Sequence, residues 1–527
     1  MREPRSRALL ALLSSARLLL AGFCFIVIEI ATHDGTCSPK FNVLFLVSDD
    51  MRPQLNAYLG EDFPSSTHPR MHTPHLDGLA SRSLLLKRAY VQQAVCSPSR
   101  TSLLTGRRPD TTRVYDLQHY FRSVGGNFTT IPQYFKSHGY VTAGMGKIFH
   151  PGRASNFNDP ISWTEPYYSE DNHHWVEEQK NSWFAVNDEE TKKFPLPDQL
   201  TAQHAIETLT RLAPKAKTGE QPIFVAVGYH KPHLPFVFPS SFLDFYPRED
   251  VQLPKNPFAP AYLPEDVWSD FSELRKYKDV ADKYGYGAIN TTLPNDVVIN
   301  LRRAYYSAIS YTDSLVGKVL QTLDDLELSN NTIVSFWGDH GWQIGEHGEW
   351  CKHTNFEIAT HAPMMVHVPG LTNTGIVTEH LTEFVDLFPT LAEAAGLPKI
   401  PLCPENSANI ATCTEGISMV PLMKSNQDID WKTAAFSQYP KMLIDGDIMM
   451  GYSMRTYQYR YTEWLPFDMP AYKPFDDVPV YVVELYDHAV DPDENVNVAD
   501  FGSYAAVRKI LHEKLSQGWR GALPKSG

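Results

Sequence analysis

The sequence has no excess of positive charge. Forty-seven Lys and Arg stand against 61 Asp and Glu, a formal charge of −14 over 527 residues. Nucleic-acid binders carry a basic footprint, so that class is set aside. There is no internal repeat, which together with the composition excludes collagen-like and coiled-coil chains. Nor is the chain short of apolar residues: 43% are hydrophobic and 20% charged. Both lie near globular averages and exclude overall disorder. Only one apolar run is long enough to cross a bilayer. What is present is length for two to four domain-sized units. With 39 prolines and 12% aromatics, the chain reads as a loop-rich enzyme with ample material for a core.

The single long apolar run, Ala8 to Ile30, follows Arg2, Arg5 and Arg7. A membrane anchor is the competing reading. Arg17 and Glu29 interrupt the run, however, and charges in a spanning helix are costly. Residues 1–31 are therefore expected to be a secretory signal cleaved between Gly22 and Ala31, with no membrane insertion after its removal. Three sequons, at Asn127, Asn290 and Asn330, agree with secretion. Of six cysteines, Cys24 lies in the signal and Cys37 at the start of the mature chain. Cys403 and Cys413 bracket a polar loop and are candidates for a local disulfide. Cys351 reads as a part-buried thiol. Removing four Arg and two Glu with the signal leaves a formal charge of −16. Twenty His, titrating around pH ~6.5, would offset most of it in an acidic lumen, which is compatible with a polyanionic substrate.

Short runs rich in β-branched and aromatic residues predict buried strands at Phe41–Val47, Ile223–Tyr229, Thr332–Trp337 and Pro363–Val368. Helical patterns lie between them, at His75–Tyr90, Thr130–His138, Asp198–Leu212 and Asn295–Leu326. The alternation predicts an α/β fold, a mostly parallel sheet with helices on both faces. The Pro- and aromatic-rich stretches 151–197 and 232–294 read as long surface insertions. Near residue 430 the pattern changes to short strands (Ala434–Tyr439, Met449–Thr456, Gln458–Trp464, Val480–Asp487) and one amphipathic helix, Tyr504–Gln517. The expected organisation is a catalytic domain at 38–430 and a smaller α+β domain at 431–527, an antiparallel sheet plus a helix.

Two predicted strands end in acidic clusters: Asp49-Asp50, and Asp339-His340-Gly341. In a parallel sheet, ligands bind at the carboxyl ends of strands. Three converging carboxylates would repel, and a divalent cation relieves that cost. Oxygen ligation favours Ca²⁺ or Mg²⁺; helix N-capping by Asp is the alternative. The strongest local signal is Cys96-Ser97-Pro98-Ser99-Arg100-Thr101-Ser102-Leu103-Leu104-Thr105-Gly106-Arg107-Arg108. Pro98 fits a first helical turn. Cys96 would then stand at the positive end of a helix with Arg100 one turn on, a place that lowers a thiol pKa and suits an oxyanion.

The Cys-x-Pro-Ser-Arg and Leu-Thr-Gly-Arg elements resemble the signature of the sulfatase family, with the two acidic clusters in the expected order around it. The resemblance spans most of 41–400. It implies an alkaline-phosphatase-like fold and conversion of Cys96 to Cα-formylglycine by the formylglycine-generating enzyme. One hydroxyl of the hydrated aldehyde would attack sulfur, and the other would then expel sulfate. Asp49, Asp50, Asp339 and His340, with the residue-96 oxygen, would hold one cation, Ca²⁺ in preference to Mg²⁺. Arg100 and Lys147 would face the transition-state charge. His150 would partner the nucleophilic hydroxyl, and His233 and Lys352 would contact sulfate, one of them protonating the leaving oxygen. Arg107 to Arg113, Gly228 to His233, Gly345 to Trp350, Met450 to Ser453, and His at 340 where many sulfatases have Asn, resemble the members of the family acting on iduronate. That implies a lysosomal enzyme removing the 2-O-sulfate of non-reducing-end iduronate in heparan and dermatan sulfate, both sulfated glycosaminoglycans. The alternatives are another sulfatase specificity, a phosphate or phosphonate monoester hydrolase of the same fold, and a non-catalytic glycan-binding homologue. A zinc site built from His340, His347, His353 and His361 is a further reading, although the spacing fits no common zinc pattern. Trp342 would line the sugar pocket or lie in the core.

Overall fold

The computed structural model describes residues 40–59, 69–170, 173–175, 180–424, 429–443, 445–476 and 478–525. The expected signal at 1–31, with Cys24 and Cys37, lies outside the described residues. Seven strands form the main sheet: β1 (Asn42–Asp49), β2 (Leu84–Tyr90), β3 (Val141–Gly146), β4 (Ile223–Pro232), β5 (Thr332–Gly338), β6 (Met364–His367) and β7 (Ile376–Glu383). Their spatial order is β3-β4-β1-β5-β6-β2-β7. All neighbours run parallel except at β6, which is antiparallel to both β5 and β2.

β1 is buried along its whole length, and its side chains alternate between two cores, as the pleat requires. Leu44 and Leu46 pack on one face with α4 (Pro197–Thr218) and α5 (Asn295–Asp325). Val43, Phe45 and Val47 pack on the other with α2 (Cys96–Thr105), α3 (Ile131–Ser137) and α6 (Leu387–Ala394). α5 buries Leu301, Ala304, Tyr305, Ala308, Ile309 and Leu315 at helical spacing. Each fully buried Leu or Ile contributes about 1.5–3 kcal/mol, so packing rather than propensity holds this helix. α3 starts with a capping box, Thr130 with Gln133, which satisfies two backbone donors at once.

The stretch His75–Tyr90 is not one helix. α1 (Pro74–Ala80) ends at a Ser-Arg-Ser turn, and Leu84–Tyr90 continues as β2. A short apolar run such as Leu84-Leu85-Leu86 carries no period to separate a buried strand from a helix. The stretches 151–197 and 232–294 are not surface decoration either. They bury Trp163, Trp175, Phe236, Phe238, Tyr246 and Phe271, because their aromatic side chains have no other way to leave water.

The second sheet is antiparallel: β8 (Ala435–Met442), β9 (Ile448–Arg455), β10 (Tyr459–Asp468), β11 (Lys473–Pro474) and β12 (Val482–Asp487), followed by α7 (Ala505–Ser516). Its first strand bonds to the segment leading into α2: Gln438 N–H donates to Gln92 O at 2.8 Å and Ser437 Oγ to Val91 O at 2.6 Å. Trp268 shares a core with Phe356, Trp464 and Tyr486. Cys403 and Cys413 form a disulfide. Cys351 is free and fully buried rather than part-buried. The three sequon asparagines are exposed. Among the described residues no helix is long and apolar enough to cross a membrane.

Candidate active site

Strand register brings the distant motifs together. Ser48 pairs with Gly338, so Asp49-Asp50 and Asp339-His340 leave the sheet side by side. Asp49 pairs with Pro232, one residue before His233. Gly146 pairs with Gly228, which sets Lys147 just beyond the end of β3. Asp50 turns the chain with φ 60°, a left-handed conformation that Asp tolerates better than most residues. Its N–H donates to Asp339 Oδ1 at 2.9 Å. α2 begins at Cys96, with Pro98 in its first turn, and aims its N-terminus at the same point.

Cys96 Sγ lies 3.4 Å from Asp49 Oδ1, 3.4 Å from His340 Nε2 and 3.8 Å from Lys147 Nζ. Lys147 also pairs directly with Asp49. Burial, reinforced by the Asp49 charge, pushes the Cys96 thiol well up and outweighs Lys147 and Lys352. The shift runs opposite to the lowering expected at a helix N-terminus, because the thiol is buried and lies against the Asp49 carboxylate. Arg100 is fully buried and does not open toward solvent. Nε donates to Asp339 Oδ2 at 2.9 Å, Nη2 to Asp49 Oδ1 at 3.2 Å and Nη1 to Ile148 O at 3.0 Å. It clamps the carboxylates from behind.

The residues fit a divalent cation. One donor atom each from Asp49, Asp50, Cys96 and His340 lies within 4.8 Å of the others, and Asp50 Oδ2 is buried without a hydrogen-bond partner. His340 Nδ1 sits 2.9 Å from Gly341 O. A carbonyl only accepts, so Nδ1 carries the proton and Nε2 presents its lone pair to the donor set. Burial and then Lys352 keep this imidazole neutral, well below its ordinary value. The carboxylates differ among themselves. Burial would raise Asp49, but Lys147, His233 and Arg100 hold it well below the usual range. Burial raises Asp50 well above it, although Lys352 opposes. Asp339 is pushed up to about 7 by burial and by Asp49. Its Oδ1 and Oδ2 are engaged by Asp50 N–H and Arg100, so it supports the cluster from the side. Burial is the larger cause of the Asp50 and Asp339 shifts, and repulsion from the neighbouring carboxylates adds to it.

Lys352, buried, donates to Asp50 Oδ1 at 2.8 Å and lies 5.1 Å from the Trp342 ring centre. Burial works against its ammonium, but the Asp50 and Glu273 carboxylates keep it charged. His233 Nε2 stands 3.8 Å from Asp50 Oδ2 and 3.5 Å from Glu273 Oε2; burial, then Lys352, lowers its pKa strongly. His150 directs Nδ1 at Pro151 O, 3.1 Å away, and burial with Lys147 lowers it to about 4. Thus Asp49, Asp50, Cys96, Arg100, Lys147, His233, Asp339, His340 and Lys352 share one contact network. His150 neighbours it through charge alone. A cavity of about 270 Å³ opens on Asp49, Lys147 and His233 and extends to Asp198 and His230.

The remaining histidines do not gather. His347 Nε2 bonds to Asp493 O at 2.8 Å, His361 Nδ1 lies 3.6 Å from Glu357, and His353 Nδ1 bonds to Ser272 Oγ at 2.7 Å. The four-histidine zinc reading fails because the chain turns their rings to separate partners. Trp342 is buried. Glu273, which no sequence motif announced, reaches the site from the 232–294 stretch.

Comparison with known proteins agrees with this geometry. A family model for sulfatases matches residues 41–397, and one for the C-terminal region of N-sulphoglucosamine sulphohydrolase matches 345–520. Iduronate 2-sulfatase of Mus musculus is 39% identical, with 94% of this chain and 97% of that protein covered. Its Homo sapiens counterpart is 37% identical, over 91% and 95%. Among solved structures, the 2-O glycosaminoglycan sulfatase BT1596 superposes with a TM-score of 0.63 at 20% identity, covering 91% of this chain and 92% of that one. The phosphonate monoester hydrolase of Agrobacterium radiobacter gives 0.66 at 20%, covering 91% and 95%; both show the fold. With a family model over most of its length, full-length relatives above 30% identity and a cation-ready cluster around its signature cysteine, the chain belongs to the sulfatase family, hydrolases of sulfuric esters.

Proposed function

We propose that the protein removes the 2-O-sulfate of non-reducing-end iduronate from heparan and dermatan sulfate, as a lysosomal enzyme of glycosaminoglycan degradation. The observation that carries this reading is 39% identity over 97% of the length of an iduronate 2-sulfatase. The −16 formal charge and 20 His of the chain without residues 1–31 suit an acidic compartment, where His protonation tempers repulsion of a polyanion.

Asp49, Asp50 and His340, with Asp339 beside them, would hold one divalent cation, Ca²⁺ by the hardness of the oxygens. Bound there, it supplies Lewis-acid stabilisation of sulfate charge. Cys96 is assigned conversion to Cα-formylglycine by the formylglycine-generating enzyme, which supplies an aldehyde hydrate as nucleophile. A buried thiol kept protonated is a poor nucleophile in its own right, which supports the modified form.

The remaining steps belong to ordinary side chains. Lys147, charged and beside position 96, stabilises negative charge on the substrate's sulfate. Arg100 helps keep Asp49 ionised and holds Asp49 and Asp339 aligned through its Nη2 and Nε. His233 and Lys352 bind sulfate oxygens, and one of them gives the proton to the leaving sugar oxygen. His150, lowered to about 4, is neutral at lysosomal pH and can accept a proton near residue 96.

The test is mass spectrometry of the tryptic peptide 89–100 from protein secreted by a eukaryotic host. Replacing the thiol side chain by an aldehyde lowers its mass by about 18 Da, from elemental arithmetic on the side chains. That loss, with no turnover in Cys96→Ser, is the expected result. An unmodified thiol in an active preparation, or activity in Cys96→Ser, overturns the formylglycine assignment.

A further inference from the structure

Glu273 is buried in the same site, and one of its carboxylate oxygens lies within 4.8 Å of donor atoms of Asp50 and His233. Its two oxygens meet three nitrogens. Lys352 Nζ is 3.3 Å from Oε1 and 3.4 Å from Oε2. His233 Nε2 is 3.5 Å from Oε2, and His353 Nε2 is 3.5 Å from Oε1. Two of these nitrogens belong to the pair assigned above to the sulfate and to the leaving oxygen.

The placement is built rather than incidental. Glu273 lies on the 3-10 turn Ser272–Lys276, between Phe271 and Leu274, both buried in the core. Phe271 N–H is tied to Tyr286 O at 2.9 Å. The same segment grips the Lys352 loop at three further points. Ser269 N–H donates to Glu349 Oε1 at 2.8 Å, Ser269 Oγ to His353 O at 3.1 Å, and Ser272 Oγ bonds with His353 Nδ1 at 2.7 Å. Lys352 and His233 come from loops well separated in sequence, and Glu273 is the shared partner outside the cation donor set.

We propose that Glu273 is a positioning residue for sulfate-ester cleavage, its carboxylate holding Lys352 and His233 together as the pair that serves the leaving oxygen. The inference rests on the sulfatase reading given above. As the S–O bond breaks, its electron pair goes to the sugar oxygen. That oxygen takes a proton from one of the two nitrogens, which keeps the lone pair. Without Glu273, Lys352 retains Asp50 as its one carboxylate partner, and His233 loses its nearer carboxylate. Both side chains can then leave the near-attack geometry, and a displacement of about 1 Å costs on the order of 10²-fold in rate.

The experiment is a double-substitution cycle on full-length, residue-96-converted protein, with a 2-O-sulfated iduronate disaccharide as substrate. Glu273→Gln is expected to lower kcat about 30- to 100-fold with KM within about threefold, the pattern of an interaction made in the transition state. In a Lys352→Met background, Glu273→Gln is expected to cost less than about fivefold more, since the residue acts through Lys352. Additive losses, or a loss confined to KM, overturn the proposal. Thermal midpoints of all variants are measured alongside. If Glu273→Gln does not fold, Glu273→Asp, which keeps the charge but withdraws it by one methylene, must show the same kcat loss and the same non-additivity. If the unsubstituted, converted protein releases no sulfate, the sulfatase substrate reading fails; normal turnover with wild-type-like Glu273→Gln sinks the positioning role alone.

Discussion

Replacing Arg100 by Met should cost more stability than almost any other single change in the main domain, and an added cation should recover part of it. Arg100 is 0% exposed, and so are Asp49 and Asp339, to which it donates at 3.2 and 2.9 Å. Met fills much of the same volume but supplies no donor. Two buried carboxylates then lose their main guanidinium partner, and the Ile148 carbonyl loses a bond. Breaking a buried pair by removing one partner costs about 3–5 kcal/mol, because the orphaned charge stays buried. An unfolding entropy of about 2.1 cal/mol/K per residue gives roughly 1 kcal/mol/K for a folded chain of this length. The expected fall in apparent melting midpoint is therefore about 3–5 °C, at a fixed scan rate because a chain this large need not unfold reversibly. Millimolar Ca²⁺ should return about half of the loss, since a bound cation stabilises the same two carboxylates by mass action. The assay is differential scanning fluorimetry with and without EGTA. A midpoint within 1 °C of the unsubstituted protein, with or without calcium, refutes the argument that Arg100 offsets buried charge.

Other outcomes follow from the same geometry. EGTA should lower both the melting midpoint and turnover of the unsubstituted protein, and Ca²⁺ should restore them; a chelator without effect on either speaks against the donor set. Glu349 taken alone should favour the fold at pH 5 over pH 8: burial pushes its carboxyl up to about 8, so it enters the fold as the neutral acid. Its contribution is full below the unfolded value near 4.5 and is lost as pH rises through 8, on the order of 3–5 kcal/mol. Against the unsubstituted protein, Glu349→Gln should raise the melting midpoint at pH 8 relative to that at pH 5. Gly341→Ala should abolish turnover, because a Cβ there would meet the Ile358 carbonyl oxygen at 1.9 Å and displace the neighbouring His340; kcat falling less than tenfold would contradict this.

The acidic strand ends were readable because hydrophobic runs that stop at Asp carry their own boundary. Asp49 and Asp339 are thus legible from the sequence alone as residues at the carboxyl ends of two strands. β7, Ile376–Glu383, was not readable, since its burial is interrupted by Glu379 and the half-exposed His380. β2 hid behind α1 for want of a period. The role of Arg100 was legible only by type. A basic residue one turn after Cys96 suits sulfate or carboxylates equally, and only burial on both sides decides for Asp49 and Asp339. Glu273 carried no signal at all. It is one Glu on a 3-10 turn in a Pro-rich stretch, and its meaning arises from a fold that sets it against Lys352.

The most direct test of the account is sulfate release at pH 5 from a panel of defined substrates. The panel holds a disaccharide with 2-O-sulfated iduronate at its non-reducing end, the same sugar placed internally, a 6-O-sulfated glucosamine, a phosphate monoester and a phosphonate monoester. The account predicts turnover of the first, with at least about 10²-fold lower kcat/KM for each of the others. Preference for the phosphonate or for the 6-O-sulfate would contradict it.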